Sequence, residues 1–405
     1  MHAKRRSEAV HSPAPSADDR RSLDLILDML PIPGLSGHEG EIAEHITKKL
    51  RGAGVPASAI THDDAHKRSP LGGDVGNLIC KFPGTLRGPR RLLMAHLDTV
   101  PLCVGTRPVV QDGFVRSGNP ATGLGADNRS GCTAILNAAL EIMRRRLPHP
   151  PLTFLWCIQE EVGLYGARFA KLSSLGNPKL CFNWDGNEPH KITVGATGAY
   201  RIRIEVEGVA SHAGVAPEKG TSAIAIAALA ITNLARNGWH GLVEKGKNRG
   251  TSNIGVISGG DATNVVTPLV SLKAEARSHD PKFRKAILDA FRDEFTRAAK
   301  QVQNCQGVSG KIKTFDADLS YESFQLADNS PPVVEAQRAI RSLGLEPELK
   351  VSNGGLDANW LSARGLPTVT LGAGQRDVHT VHERLDIQAF VAGCQVALAL
   401  ATGSG

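Results

Sequence analysis

Aromatic side chains are scarce, at 4% of the 405 residues. A core with so few rings must close by tight helix–sheet packing, and the abundant Gly and Ala suit that. No apolar stretch reaches the ~20 residues a membrane helix needs, so no membrane association is expected. No CxxC occurs. The seven cysteines (Cys80, Cys103, Cys132, Cys157, Cys181, Cys305 and Cys394) are odd in number and far apart. Neither a disulfide framework nor a thiolate zinc site is expected, and the reducing cytoplasm is the expected location. The net charge is +7, yet no basic stripe with interleaved aromatics exists, which argues against nucleic acid as a partner. There is no repeat at solenoid spacing. The N-terminal MHAKRRSEAVHSPAPSADDRRS has basic residues but no apolar run after them, so it does not read as a secretory signal. Residues 1–20 are expected to form a disordered arm, because Pro, Ser and charge leave little to pack.

What is present has two periodicities. Residues 21–30 and EIAEHITKKLRGAG read as helices. Leu92–Ala95 and Leu152–Ile158 are continuous apolar runs, as in strands buried on both faces. Between them Ile135, Ala138, Ala139, Ile142 and Met143 recur at helical spacing, which completes a strand–helix–strand unit of an α/β fold. Past residue 196 the runs become alternating. Ile202, Ile204 and Val206 alternate with charged residues, as do Val270, Leu272, Ala274 and Ala276, so one face is buried and one is wet. Helices are expected near 221–235 and 282–300, the second with Phe283, Ile287, Phe291 and Phe295 on one stripe. That order describes a ferredoxin-like α+β module. Residues 321–405 return to α/β character. The expected plan is a catalytic domain of residues 21–195 and 321–405, with a mixed sheet between helices, interrupted by a ferredoxin-like domain of residues 196–320.

Four segments place His or carboxylates where buried strands end: AHLDTV, GADNRSG, QEEVG and NWDG. A fifth, VHTVHE, lies near the C-terminus. Strand carboxyl ends are where open α/β sheets bind ligands. Each segment alone is weak, since a lone His is commonly structural and Asp before Gly is a turn residue. Together they differ, because acids gathered at one sheet edge repel and desolvate badly without a cation among them.

In their order, LLMAHLDTVP, GLGADNRSGCTAIL, QEEVGLYGA, NWDG, ASHAGVAPEKGTSAI, GGDATNVV, AEARSHD, GGLDANWL and HTVHE resemble the co-catalytic zinc peptidase family of peptidase T, glutamate carboxypeptidase and acetylornithine deacetylase. The resemblance runs from about residue 22 to the end and is closest to the peptidase T type. It implies two divalent metal ions, zinc first, with cobalt or manganese also suited to such ligands. His96 and Asp185 would hold one metal, Glu161 and His379 the other, and Asp127 would bridge them. His379 is preferred to His382 as the last ligand. Asp98 would orient His96. Asp127–Asn128 matches a cis peptide of relatives. Glu160 would be the general base. In the inserted domain, His212 would stabilise the oxyanion, often from a partner subunit, and Asn264 and Arg277 would contact substrate. Gly355, with Gly354, would let the backbone approach it. A homodimer through the inserted lid domain follows from the same resemblance.

The implied activity is hydrolysis of short peptides from their free amino end. An N-acyl amino acid deacylase or a carboxypeptidase on the same two-metal site is the competing enzyme reading. Asn353 stands where tripeptidases carry Arg, which weakens the case for strict tripeptide specificity. A non-catalytic binding protein would have lost a ligand or the base, and neither is lost.

Overall fold

The computed structural model describes residues 17–403. The expected arm therefore lies outside the described residues up to position 16, and its last four residues belong to a helix instead. That helix, Ala17–Met29, buries Ser22, Leu25, Ile26 and Met29 on one face. None of the described helices is long and apolar enough to cross a membrane.

The largest sheet has nine strands. Its spatial order is Ile60–His62, Leu78–Phe82, Leu152–Cys157, Arg91–His96, Leu180–Gly186, Thr368–Gly372, Lys191–Ala196 and Phe324–Gln325, with Glu348–Ser352 also paired to Lys191–Ala196. Four central strands are parallel, with His96 opposite Cys157 and Thr370 opposite Asn183. Their carboxyl ends thus share one edge. Both faces are covered, so Phe154, Trp156, Phe182 and Trp184 are fully buried. Each such ring contributes roughly 2–3 kcal/mol by leaving water, which is why the apolar runs are continuous. Helix Ala126–Arg145 packs on Arg91–His96 and on helix Ile387–Thr402.

The five-stranded sheet is antiparallel throughout. Its order is Gly241–Lys245, Asn248–Gly259, Leu269–Ser278, Gly198–Glu207 and Lys311–Tyr321. Ile202, Ile204, Val206, Val270 and Leu272 point into a separate hydrophobic cluster with helices Ala223–Arg236 and Pro281–Gln301. The second helix is set by Pro281 at its first turn and by Asp280, whose carboxylate accepts from Lys282 N and Phe283 N. The layout is ferredoxin-like with one strand added, Gly241–Lys245, on the edge. On the opposite face Arg201, Arg203 and Lys273 are exposed.

A third, four-stranded sheet was not legible from periodicity. Two of its strands, Gln375–Arg376 and Arg384–Asp386, are only two and three residues long. It brings the C-terminal HTVHE segment to Phe114–Ser117 beside the edge where the parallel strands end. The chain passes between the two large sheets at Thr197 and at Glu322. One side chain holds both crossings, for Asn359 Nδ2 donates to Thr197 O (2.9 Å) and to Glu322 O (2.6 Å).

Candidate metal centre

The shared strand edge gathers the expected ligands. His96 ends its strand with the imidazole buried. Its Nε2 lies 3.2 Å from Asp127 Oδ1 and 3.7 Å from Asp185 Oδ1. His379 Nε2 lies 3.3 Å from Asp127 Oδ2 and 3.1 Å from Glu161 Oε2. Asp127 therefore stands between two imidazoles, one oxygen toward each. His96, Asp127 and Glu161 offer ligand atoms within 4.8 Å of one another. No bond joins the imidazole of the exposed His382 to this group among the described residues; its backbone N–H donates to Thr380.

The electrostatics are those of a cage built for positive charge. Burial works against a charged His96, yet Asp127, Asp185 and Asp98 together raise its pKa well above the ordinary value. Hydrogen bonding to Asp127 and Glu161 lifts His379 to about 10. Burial opposes ionisation of Asp127, but His379 and His96 prevail and hold its pKa below the usual range. Burial raises Asp185 to about 6. The Asp127 oxygen nearest His96 is buried and is not aligned for a hydrogen bond with it. A buried carboxylate oxygen without a proton donor, facing imidazole nitrogens, is what a divalent cation satisfies. The donor set of two imidazoles and several carboxylates fits zinc, cobalt or manganese.

Surrounding residues fix these ligands. Asp98 accepts from Ser36 Oγ (2.6 Å), Glu160 N (2.9 Å) and Glu161 N (3.1 Å). Its carboxylate thus aims the QEE loop at the centre. For His96 Nδ1 the nearer Asp98 atom is the main-chain carbonyl, at 3.1 Å, with the carboxylate at 3.4 Å. The Asp127–Asn128 peptide is cis, and Asn128 Nδ2 donates to Trp184 O (2.6 Å) next to Asp185. Glu160 sits beside the ligands. Burial pushes its carboxyl well above the usual range; Asp185, Asp357 and Glu161 act the same way against the pull of His96.

Three carboxylates had no assigned role in the sequence. Glu383 accepts from Leu124 N (2.8 Å), Gly125 N (2.7 Å) and Asp127 N (3.0 Å), so it shapes the loop that presents Asp127. Asp357 is buried near His96 and Asp185, neither oxygen has a hydrogen-bond partner among the described residues, and burial raises it to about 7. Glu39 accepts from Gln159 N behind the QEE loop. Glu383 and Asp357 lie inside the quoted segments HTVHE and GGLDANWL, but the backbone amides that Glu383 holds and the burial of Asp357 are not revealed by residue identity.

The remaining predicted residues are dispersed. His212 and Asn264 are exposed neighbours on the five-stranded lobe, where Ala213 N donates to Asn264 O (2.9 Å) and His212 bridges to Val265. No bond links either to the metal ligands among the described residues. Arg277 is held fork-on by Glu275, at 2.9 Å for both Nε and Nη2. It opens on a cavity of 340 Å³ shared with Thr197, His279 and Asn353, and His279 Nε2 lies 3.1 Å from Asn353 Oδ1. Gly355 is pressed against the ring of Tyr321, where a Cβ would come within 2.4 Å of Cζ.

Residues 92–403 match Peptidase family M20/M25/M40. The uncharacterized protein YqjE of Bacillus subtilis is 31% identical over 384 residues, covering 95% of this chain and 98% of its own. A tripeptidase from Staphylococcus aureus shares the fold with a TM-score of 0.85 at 31% identity, covering 95% of this chain and 97% of its own. The aminopeptidase PepT from Bacillus cereus gives 0.82 at 30% identity, with 95% and 98% covered.

Proposed function

The chain belongs to peptidase family M20/M25/M40, and on that footing we propose that it is an aminopeptidase that hydrolyses short peptides with two divalent metals, zinc first. The observation that carries this reading is Asp127 set between His96 and His379, with Asp185 and Glu161 on the flanks and Glu160 half-buried alongside. The similar solved proteins are a tripeptidase and an aminopeptidase, which favours a free-amine substrate. His96 and Asp185 would hold one metal, Glu161 and His379 the other, and Asp127 both. When bound, the pair supplies Lewis acidity to a carbonyl and lowers the pKa of water.

The chain's own residues do the rest. Glu160 takes a proton from water and delivers it to the leaving amine nitrogen. Its raised affinity for protons suits that relay, and Asp98 keeps it in place through the Glu160 N–H. Arg277, preset by Glu275, would receive the far carboxylate in the cavity it shares with Asn353 and His279. In this reading residues 21–195 and 321–405 form the catalytic domain and 196–320 a lid. His212 and Asn264, which are exposed on the lid and bond locally there, would serve the site of a second copy in a cytoplasmic homodimer.

Glu160→Gln tests the mechanism. Turnover of a free-amine tripeptide should fall by ~10²–10⁴-fold while metal content is retained. Unchanged turnover sinks the assignment. Equal cleavage of N-acetylated and free peptides would favour the deacylase reading.

A further inference from the structure

In the QEE loop the two glutamates serve the centre, while the glutamine reaches for a different loop. Glu161 is held by His379 Nε2, at 3.1 Å from its Oε2. The Glu160 carboxylate makes no hydrogen bond to any of the described residues. Its aim is therefore set by the backbone that carries it, and that backbone turns at Gln159.

Gln159 has a φ of +54°. Side chains disfavour this left-handed conformation, because Cβ crowds the following carbonyl. It persists only where the surroundings over-determine it, and here they do. Gln159 is fully buried. Its N–H donates to Glu39 Oε1 (2.9 Å), and its carbonyl accepts from Tyr165 N (3.1 Å). Its side-chain amide is gripped at both ends. Oε1 accepts from Ser69 Oγ (2.5 Å), and Nε2 donates to Gly72 O (2.6 Å). Gly73 closes the slot, since a Cβ there would come within 2.9 Å of Nε2. The grip thus comes from a loop 90 positions upstream. That loop carries none of the ligands, and its Leu71 is exposed to solvent.

We propose that Gln159 is a positioning residue for hydrolysis: with the loop of residues 69–73 it locks the turn that aims Glu160. The inference rests on the general-base role proposed above. The turn at Gln159 delivers the next two amides to the two oxygens of Asp98, at 2.9 Å for Glu160 N and 3.1 Å for Glu161 N. Asp98 fastens those amides, and Ser69 and Gly72 fasten the residue just before them. Glu160 has no lateral support of its own, so it loses alignment when that fastening goes. Glu161 keeps His379. Loss of the Gln159 grip therefore slows the proton step and leaves metal and peptide binding in place.

The test uses zinc-loaded enzyme with trialanine. Gln159→Gly leaves the left-handed turn accessible and removes the amide. Its kcat should fall by ~10-fold or more, since a misplacement of about 1 Å can cost ~10²-fold. KM and zinc content should match wild type. Ser69→Ala should lower kcat by roughly 2–10-fold, the worth of one hydrogen bond. In the Gln159→Gly background the same change should cost nothing further, because Ser69 acts through the amide. A merely structural role gives another pattern: lower thermal midpoints with kcat intact, or losses at the two positions that multiply. Either result overturns the inference, as does zinc loss in step with activity. Full turnover by Glu160→Gln overturns the base assignment and this inference with it. Collapse of Glu160→Gln beside an unimpaired Gln159→Gly overturns this inference alone.

Discussion

In the nine-stranded sheet both faces are covered, so polar chemistry has only the strand ends to occupy. In the five-stranded sheet one face is bare, and charge spreads along it. His96, Asp98, Glu160, Glu161 and Asp185 all fall within a few residues of where parallel strands stop. They are packed closely enough to shift one another's protons. Arg201, Arg203 and Lys273 lie in rows across a wet face, where water screens them. Where that sheet approaches the strand ends its polar side chains withdraw from water, Arg277 partly and Tyr321 almost fully. Burial, more than residue type, separates a reactive carboxylate from an ordinary one.

Three substitutions test this contrast. The largest effect is expected at Asp98, whose carboxylate holds Ser36 and the Glu160 and Glu161 amides. Asp98→Ala should release the loop and lower metal occupancy, with activity falling by ~10²-fold or more, as for other groups that orient ligands. Retained metal and activity would mean the strand end is not organised by this residue.

A smaller effect, in the opposite direction, is expected behind the same loop. Burial and the Asp98 charge raise Glu39 from 4.5 to about 7. An acid whose folded pKa exceeds its unfolded value favours folding at low pH. That stability is present below about pH 4.5 and is lost as pH rises to about 7. Glu39→Gln keeps an oxygen for Gln159 N and removes the charge. It should be neutral below pH 4.5 and stabilising above pH 7, by at most roughly 3 kcal/mol, read as thermal midpoint against pH. A pH-independent effect would rule out the buried charge as its source.

The smallest effect belongs to the bare face. Lys273 lies directly opposite Arg203, a like-charge pair across strands. Lys273→Glu should raise stability by roughly 0.2–1 kcal/mol, less so in high salt, without touching kcat/KM. A change as large as that at Asp98 would erase the distinction between edge and face.

The sequence made the two sheets legible because continuous and alternating runs are direct records of two-sided and one-sided burial. It also singled out His96, Asp127, Glu161, Asp185 and His379, which the fold brings together at one strand edge, because the segments that carry them resemble a known family in their order. It missed what acts through backbone amides. Glu383 and Glu39 look like surface acids until the N–H groups they hold are known. The three-residue strand Arg384–Asp386 is too short to show a period. Asp98 was expected to hold the imidazole; its carboxylate also accepts from Ser36 and from two amides of the loop that follows another strand. His212 and Asn264 illustrate another limit, for a linear pattern does not say whether a residue serves its own chain's site.

Glu383 has a consequence for the order in which the protein is made. It anchors Leu124, Gly125 and Asp127 from more than 250 positions downstream, and His379 arrives with it. A ribosome that has released only the first 370 residues has emitted His96, Asp127, Glu161 and Asp185, but neither the second imidazole nor the clamp on the Asp127 loop. The nascent chain is then short of a finished centre, and peptidase activity waits for the last segment to emerge.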